Sequence, residues 1–174
     1  VSPSRGLGDV YKRQTYICEH GESGAMGIVI NQALELTLEE IFEHLQIAPT
    51  RDFSDEPVMA GGPVQMDHGF VLHRKCTHSW EASLKVTPEI TLTTSRDILR
   101  AIAEESGPSD HLIALGYAGW AAGQLERELA ENSWLTLPGD SDIIFSTPVD
   151  QRLAAAAAAL GVDMNLISGQ AGHA

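Results

Sequence analysis

Basic residues are scarce in this chain. Eleven lysines and arginines stand against 24 aspartates and glutamates, a formal net charge of −13 at pH 7. So acidic a surface repels a phosphate backbone, and the cations present are scattered without a basic run, so direct DNA binding is disfavoured. Cysteine is nearly absent as well: Cys18 and Cys76 are the only two, too few for a disulfide framework. No apolar run is long enough to span a bilayer. The short signatures of common chemistries are missing too. There is no G-x-S-x-G, P-loop lysine, H-E-x-x-H, C-x-x-C or G-x-G-x-x-G, which removes the usual hydrolase, nucleotide-binding and dehydrogenase readings. An enzyme built on this sequence would have to use a site of unfamiliar form.

What is present is an ordinary globular composition, 43% hydrophobic and 20% charged over 174 residues. That is enough chain to bury the core of one domain. The front stands apart. Residues 1–14, VSPSRGLGDVYKRQ, are punctuated by glycine, serine and proline, show no apolar periodicity, and resemble a translated linker. They are expected to contribute nothing to a folded domain running from 15 to 174. Without them the remainder is more acidic still, because Arg5, Lys12 and Arg13 outweigh Asp9.

From Thr15 onward strands and helices are interspersed, neither strictly alternating nor segregated. Thr15–Glu19 and Ala25–Ile30 read as paired strands across a turn holding Gly21 and Gly24. Thr37 with Glu40 forms a capping box, and Leu38, Ile41, Phe42 and Leu45 recur at helical spacing behind it. Short strands follow at Val58–Ala60 and Gly69–His73. Leu84–Val86 and Ile90–Thr93 read as a hairpin. Thr94 or Ser95 caps a helix with Ile98, Leu99 and Ile102 on one face, ended by Gly107 and Pro108. Leu112–Tyr117 reads as a buried strand, and Gly119 leads into a helix carrying Leu125 and Leu129. Trp134–Leu137 and Ile143–Phe145 read as strands, and Val149–Leu160 as an alanine-rich helix stopped by Gly161. Too few connections could serve as crossover helices for a parallel sheet. The expected class is therefore α+β: a single domain with a mixed, mainly antiparallel sheet and helices packed around it.

Four stretches carry a family resemblance: YICEHGESGAMGIVIN (Tyr16–Asn31), AGGPVQMDHGFVLH (Ala60–His73), ALGYAGWAAGQLE (Ala114–Glu126) and the C-terminal GQAGHA. In this order they resemble the AlgH/YqgE family of bacterial proteins, which has no established reaction and is sometimes labelled as transcriptional regulators. The resemblance implies the same kind of fold, a reducing cytoplasm and an indirect regulatory role. Family members usually begin with a strand ahead of Tyr16. Residues 1–14 do not match it, so that strand is expected to be missing.

Several residue sets invite a chemical reading, each with a plain structural alternative. Thr93, Thr94, Ser95, Arg96 and Asp97 gather hydroxyls, free helix N–H groups and a guanidinium where a strand enters a helix, which suits an anion. The alternative is a simple cap. Gly61 and Gly62 could let a ligand approach the backbone, and with Tyr117 and Trp120 could line a shallow aromatic pocket; the alternative is a tight turn plus core aromatics. His68, His73, Cys76 and His78 follow no zinc spacing, so no metal or cofactor is expected. Cys18 and His20, at i and i+2 on a strand, share one face and offer a thiolate reading against that of a half-buried cysteine.

The function expected is a cytosolic, non-enzymatic regulatory or binding module acting through a protein partner or a small anionic ligand, with Thr94, Ser95, Arg96, Gly61, Gly62, Tyr117 and Trp120 as candidate ligand-binding residues. The alternatives are an enzyme with an unrecognised site using Cys18, His20 or Ser95, and a direct DNA-binding regulator.

Overall fold

The computed structural model describes residues 2–3, 13–76 and 78–159. They are arranged as two units, 33–117 and 1–32 with 118–174. The α+β class is as expected, with mainly antiparallel strands and short helices. Among the described residues no helix is long and apolar enough to cross a membrane.

In the unit 33–117 the elements are β4 (Ala33–Thr37), α1 (Leu38–His44), β5 (Pro57–Ala60), β6 (Val64–Arg74), β7 (Ser83–Lys85), β8 (Ile90–Thr93), α2 (Arg96–Ala103) and the first part of β9 (His111–Ala121). Strand β6 lies between β9 and β8, antiparallel to both, and β7 pairs with β8. On the other side of β9, β5 runs parallel to it and β4 pairs with β5. Thr37 caps α1 by accepting the Glu40 N–H, as its capping box predicts. The apolar spacing then turns Leu38 and Phe42 inward, where Phe42 meets Phe53 edge-on with ring centroids 5.1 Å apart. Ile98, Leu99 and Ile102 of α2 join the same core with Val58, Val71 and Ile113. Each such side chain contributes about 1.5–3 kcal/mol by leaving water.

His73 is buried in this sheet, and its hydrogen bonds form a chain. Its Nδ1–H donates to the Arg74 carbonyl at 2.9 Å, so Nε2 is left to accept the Thr93 hydroxyl at 2.8 Å. Thr93 in turn meets the Ser83 hydroxyl at 2.9 Å. Burial holds the His73 pKa below the usual histidine value. The ring is thus a neutral link between β6, β8 and β7.

The other unit holds β1 (Ser2–Pro3), β2 (Thr15–Gly21), β3 (Gly24–Val29), the end of β9, α3 (Gln124–Ala130), β10 (Trp134–Leu135), α4 (Ser141–Phe145) and α5 (Arg152–Ala159), the last preceded by a 3-10 turn at Val149–Gln151. β2 and β3 form the expected hairpin, and β3 pairs with 118–121 of β9. That pairing carries β9 through Gly119, which the sequence suggests as the lead into α3. A Cβ on Gly24 would lie 2.3 Å from the Trp120 carbonyl oxygen, so glycine is what lets these strands pair. The helix begins after Gly123, whose φ of 77° only glycine adopts freely.

Three sequence expectations are corrected in this unit. Ile143–Phe145 is helical, not extended. The Asp140 carboxylate accepts the Asp142 N–H at 2.9 Å and starts a short helix that turns Ile143 and Ile144 inward. The folded boundary also falls earlier than Thr15. Gln14 is buried; its N–H donates to the Asn31 side chain and its carbonyl accepts the Ile30 N–H, both at 2.8 Å. Ser2–Pro3 pairs with Trp134–Leu135. Both ties use backbone groups, which composition does not report. The stretch read as the strand Trp134–Leu137 is a two-residue strand. Gly161 and the C-terminal GQAGHA lie outside the described residues.

Glu128 organises the aromatic cluster here. One carboxylate oxygen accepts the indole N–H of Trp120 at 3.2 Å and of Trp134 at 2.7 Å, and the other accepts Gln124 at 2.9 Å. The two indoles pack edge-on at 5.6 Å. Glu128→Ala strands both indole donors, an expected loss of about 2–3 kcal/mol. Differential scanning fluorimetry should show a melting point roughly 5–10 °C lower. An unchanged melting point would mean water replaces the carboxylate at no cost.

Candidate binding site

The start of α2 is plugged from within. Ser95 occupies the N-cap position, yet its hydroxyl makes no cap bond to the helix and donates to the Asp97 carboxylate. Asp97 accepts the Ile98 N–H at 2.9 Å and the Glu81 N–H at 2.8 Å, and the Ala82 N–H donates to Ser95. Desolvation pushes the Asp97 pKa up, but these hydrogen bonds together outweigh it and the net shift is downward from the usual carboxylate value. A fixed carboxylate already sits where a bound anion would gain from the helix dipole. The buried Thr93 is committed to His73 and Ser83.

Thr94, Ser95 and Arg96 do open onto a space, though not as an anion cradle. They line a cavity of ≈ 760 Å³ with α1, β6 and β9. Its apolar side is Ile41, Leu45, Val71, Leu99, Ile113 and Leu115, and its polar side includes Glu40, Glu43, His44, Asp67, His68 and Arg96. The volume lies inside the range of about 300–1,000 Å³ typical of ligand sites.

The shape of β6 exposes this cavity. Val64 pairs with Tyr117 and Gly69 with Leu115, so 65–68 stand opposite Gly116 alone. Gln65 takes a φ of 49°, in the left-handed region. Bulges of this kind re-aim side chains next to functional sites. Here the bulge brings Asp67, His68 and Gly69 to the cavity and leaves Met66 66% exposed.

The remaining sequence candidates are not brought to this cavity. Gly61 and Gly62 serve a close approach, but to backbone. A Cβ on Gly61 would meet the Gly116 carbonyl oxygen at 2.3 Å, and one on Gly116 would meet that of Gly62 at 2.3 Å. The junction is packed backbone against backbone. Tyr117 packs edge-on against Phe70 at 5.5 Å. Trp120 belongs to the other unit, with Trp134 and Glu128. Each of these two rings thus has an aromatic neighbour within its own unit.

The Cys18–His20 pairing is corrected too. A bulge between Ile17 and Glu19 breaks the alternation of β2, so Cys18 is buried and His20 exposed. His20 bonds Glu126 at 2.8 Å. Burial, helped by the charge of Glu19, pushes the Cys18 thiol up to about 12, far above neutral pH. Iodoacetamide at pH 8 should leave Cys18 unmodified in native protein and label it in urea, read by mass spectrometry. Rapid native labelling would show an accessible thiolate.

Three of the four residues suggesting a metal have partners of other kinds, and the fourth, His68, lines the cavity. His73 is spoken for by Arg74 and Thr93, His78 stacks on Trp80 at 6.0 Å, and the Cys76 thiol points to the His78 carbonyl. Among the described residues no group of three or more His, Cys, Asp or Glu is placed to hold a metal ion.

Sequence reasoning missed Glu43, His44, Asp67 and Leu115 as cavity residues. The helical period of α1 was a usable signal, because it places Glu40, Glu43 and His44 beside the apolar face. The bulge left no comparable trace.

Comparison with known proteins agrees with this fold. The AlgH-like family profile, DUF179, matches residues 5–165. A UPF0301 protein of Thioalkalivibrio sulfidiphilus is 59% identical over 160 residues, covering 92% of this chain and 86% of that one. One from Saccharophagus degradans is 53% identical over 171 residues, covering 97% and 84%. Among solved structures, the AlgH protein from Pseudomonas aeruginosa matches with a TM-score of 0.79 and 48% identity over 95% of this chain and 88% of that one. Protein DIP2367 from Corynebacterium diphtheriae, at 13% identity and a TM-score of 0.70 over 97% and 93%, shares the fold. The chain belongs to the AlgH-like family, also called UPF0301.

Proposed function

We propose that this protein is a non-enzymatic binding module with a regulatory role in the cytoplasm, and that the cavity of the unit 33–117 is where its partner binds. The observation that carries this is the cavity itself: ≈ 760 Å³ with an apolar side and a polar rim. Such a site holds an occupant through apolar burial and orients it through a few polar groups. Of the two occupants suggested by the sequence, a small anion gains least, because Asp97 fills the N-terminus of α2 and Glu40, Glu43 and Asp67 line the site. A protein segment is the better fit. The protonated thiol of Cys18 supports a non-enzymatic reading, and the net charge of −13 supports a target other than DNA.

Gly69 offers a clean test, since it lines the cavity and a Cβ there would meet nothing within 4 Å. Gly69→Leu should intrude into the site and obstruct it without disturbing the strand. In a thermal-shift screen of metabolites and short peptides, compounds that stabilise the parent chain should lose their effect on Gly69→Leu. Stabilisers acting equally on both proteins would place the binding site elsewhere.

A further inference from the structure

We infer that the occupant is a segment of a partner protein with an apolar anchor flanked by lysine or arginine. This rests on the cavity being the binding site, and adds the chemistry of what enters it. With histidines counted as neutral, the lining carries three carboxylates, Glu40, Glu43 and Asp67, against the single guanidinium of Arg96. All four are exposed. Asp97, at the same end of α2, offsets the pull of the helix dipole on an anion.

The apolar side of the cavity calls for a hydrophobic anchor, and the carboxylates call for cations beside it. A free small molecule could satisfy both, but Met66 argues for something longer. It stands 66% exposed on the bulge next to Asp67. Methionine suits adaptable recognition surfaces because its side chain is unbranched and polarisable. An occupant that fills the cavity and covers Met66 must extend along β6, as a peptide does. The net charge of −13 would also speed the encounter with a basic partner at low salt.

The test begins by panning a phage library of random short peptides against the full chain. The enriched consensus peptide is then titrated into the parent, Gly69→Leu, and the double variant Glu43→Lys/Asp67→Lys. Both charged positions are exposed, and thermal melts confirm that each variant folds. The expected consensus is an apolar residue flanked by lysine or arginine. Its affinity should drop about tenfold in the double variant, fall with added salt, and vanish in Gly69→Leu. A neutral or acidic consensus that still depends on Gly69 would overturn the basic-partner inference and leave the cavity as the site. Peptides binding the parent and Gly69→Leu equally, or no enrichment at all, would overturn both.

Discussion

Gly116→Ala should destabilise the protein by about 3–5 kcal/mol, enough to abolish folding in a marginal background. Two effects add at this position. Gly116 has a φ of 78°, where a side chain is strained, and a Cβ there would lie 2.3 Å from the Gly62 carbonyl oxygen and 3.2 Å from that of Val64. Neither neighbour can yield cheaply, because both are backbone. The Gly61 N–H bonds the Leu115 carbonyl at 2.9 Å, so shifting one segment drags the other. Gly69→Ala, in the same pair of strands, meets nothing within 4 Å and should stay within about 0.5 kcal/mol of the parent. Urea denaturation of the two variants side by side checks this. A loss below about 1 kcal/mol for Gly116→Ala would mean the junction is looser than its geometry.

Glu56→Ala should cost about 2–4 kcal/mol near pH 6, because it leaves a charged, largely buried histidine without its partner. His111 Nδ1–H donates to the Pro108 carbonyl at 3.0 Å, and Nε2 meets Glu56 at 3.0 Å, with side chains 12% and 27% exposed. Arg51 bonds the second Glu56 oxygen at 2.8 Å. Burial pulls the His111 pKa down, but the hydrogen bonds to Glu56 and Pro108 outweigh it and the net shift is upward. The hydrogen bond from His111, joined by Arg51, lowers that of Glu56 against desolvation.

The raised histidine contributes stability that is complete below its ordinary value of 6.5 and lost as pH climbs through the folded value. The lowered carboxylate contributes stability that is complete above its ordinary value of 4.5 and lost as pH falls through the folded value. The gap between the parent and Glu56→Ala should therefore be widest between 4.5 and 6.5 and narrow on both sides. Urea midpoints measured from pH 4 to 9 give the profile. A gap that widens steadily toward alkaline pH would contradict the assignment of His111 as the charged member.

Where a pattern repeats, the fold was legible in the chain. The spacing of Leu38, Ile41, Phe42 and Leu45, the Thr37–Glu40 box and the Gly21–Gly24 turn each led to the element observed. Elements built from backbone events were hidden. Ile143 and Ile144, an apolar pair, look like strand until the Asp140 carboxylate is seen capping a turn. The extension of β9 past Gly119 depends on β3 lying alongside, which no local window contains. Strand β9 also runs through both units, so no linker composition marks a division at 117.

The site was legible only in part. Thr94, Ser95 and Arg96 reach the cavity because a strand-to-helix junction is a local feature. The glycines at 61 and 62 do lie at a close approach, and the group they meet is the backbone at Gly116, which no reading of the sequence singled out. Asp67 and His68 face the cavity only because of the bulge, and a bulge is a matter of register, which composition does not encode.

Amide NMR of the full chain, titrated with the consensus peptide from panning, tests the central claim most directly. Shift changes should concentrate at the cavity lining on α1, on the 65–69 stretch of β6 and on the first turns of α2. Changes centred instead on Trp120, Glu128 and Trp134, or around Cys18 and His20, would contradict the assignment of the cavity as the binding site.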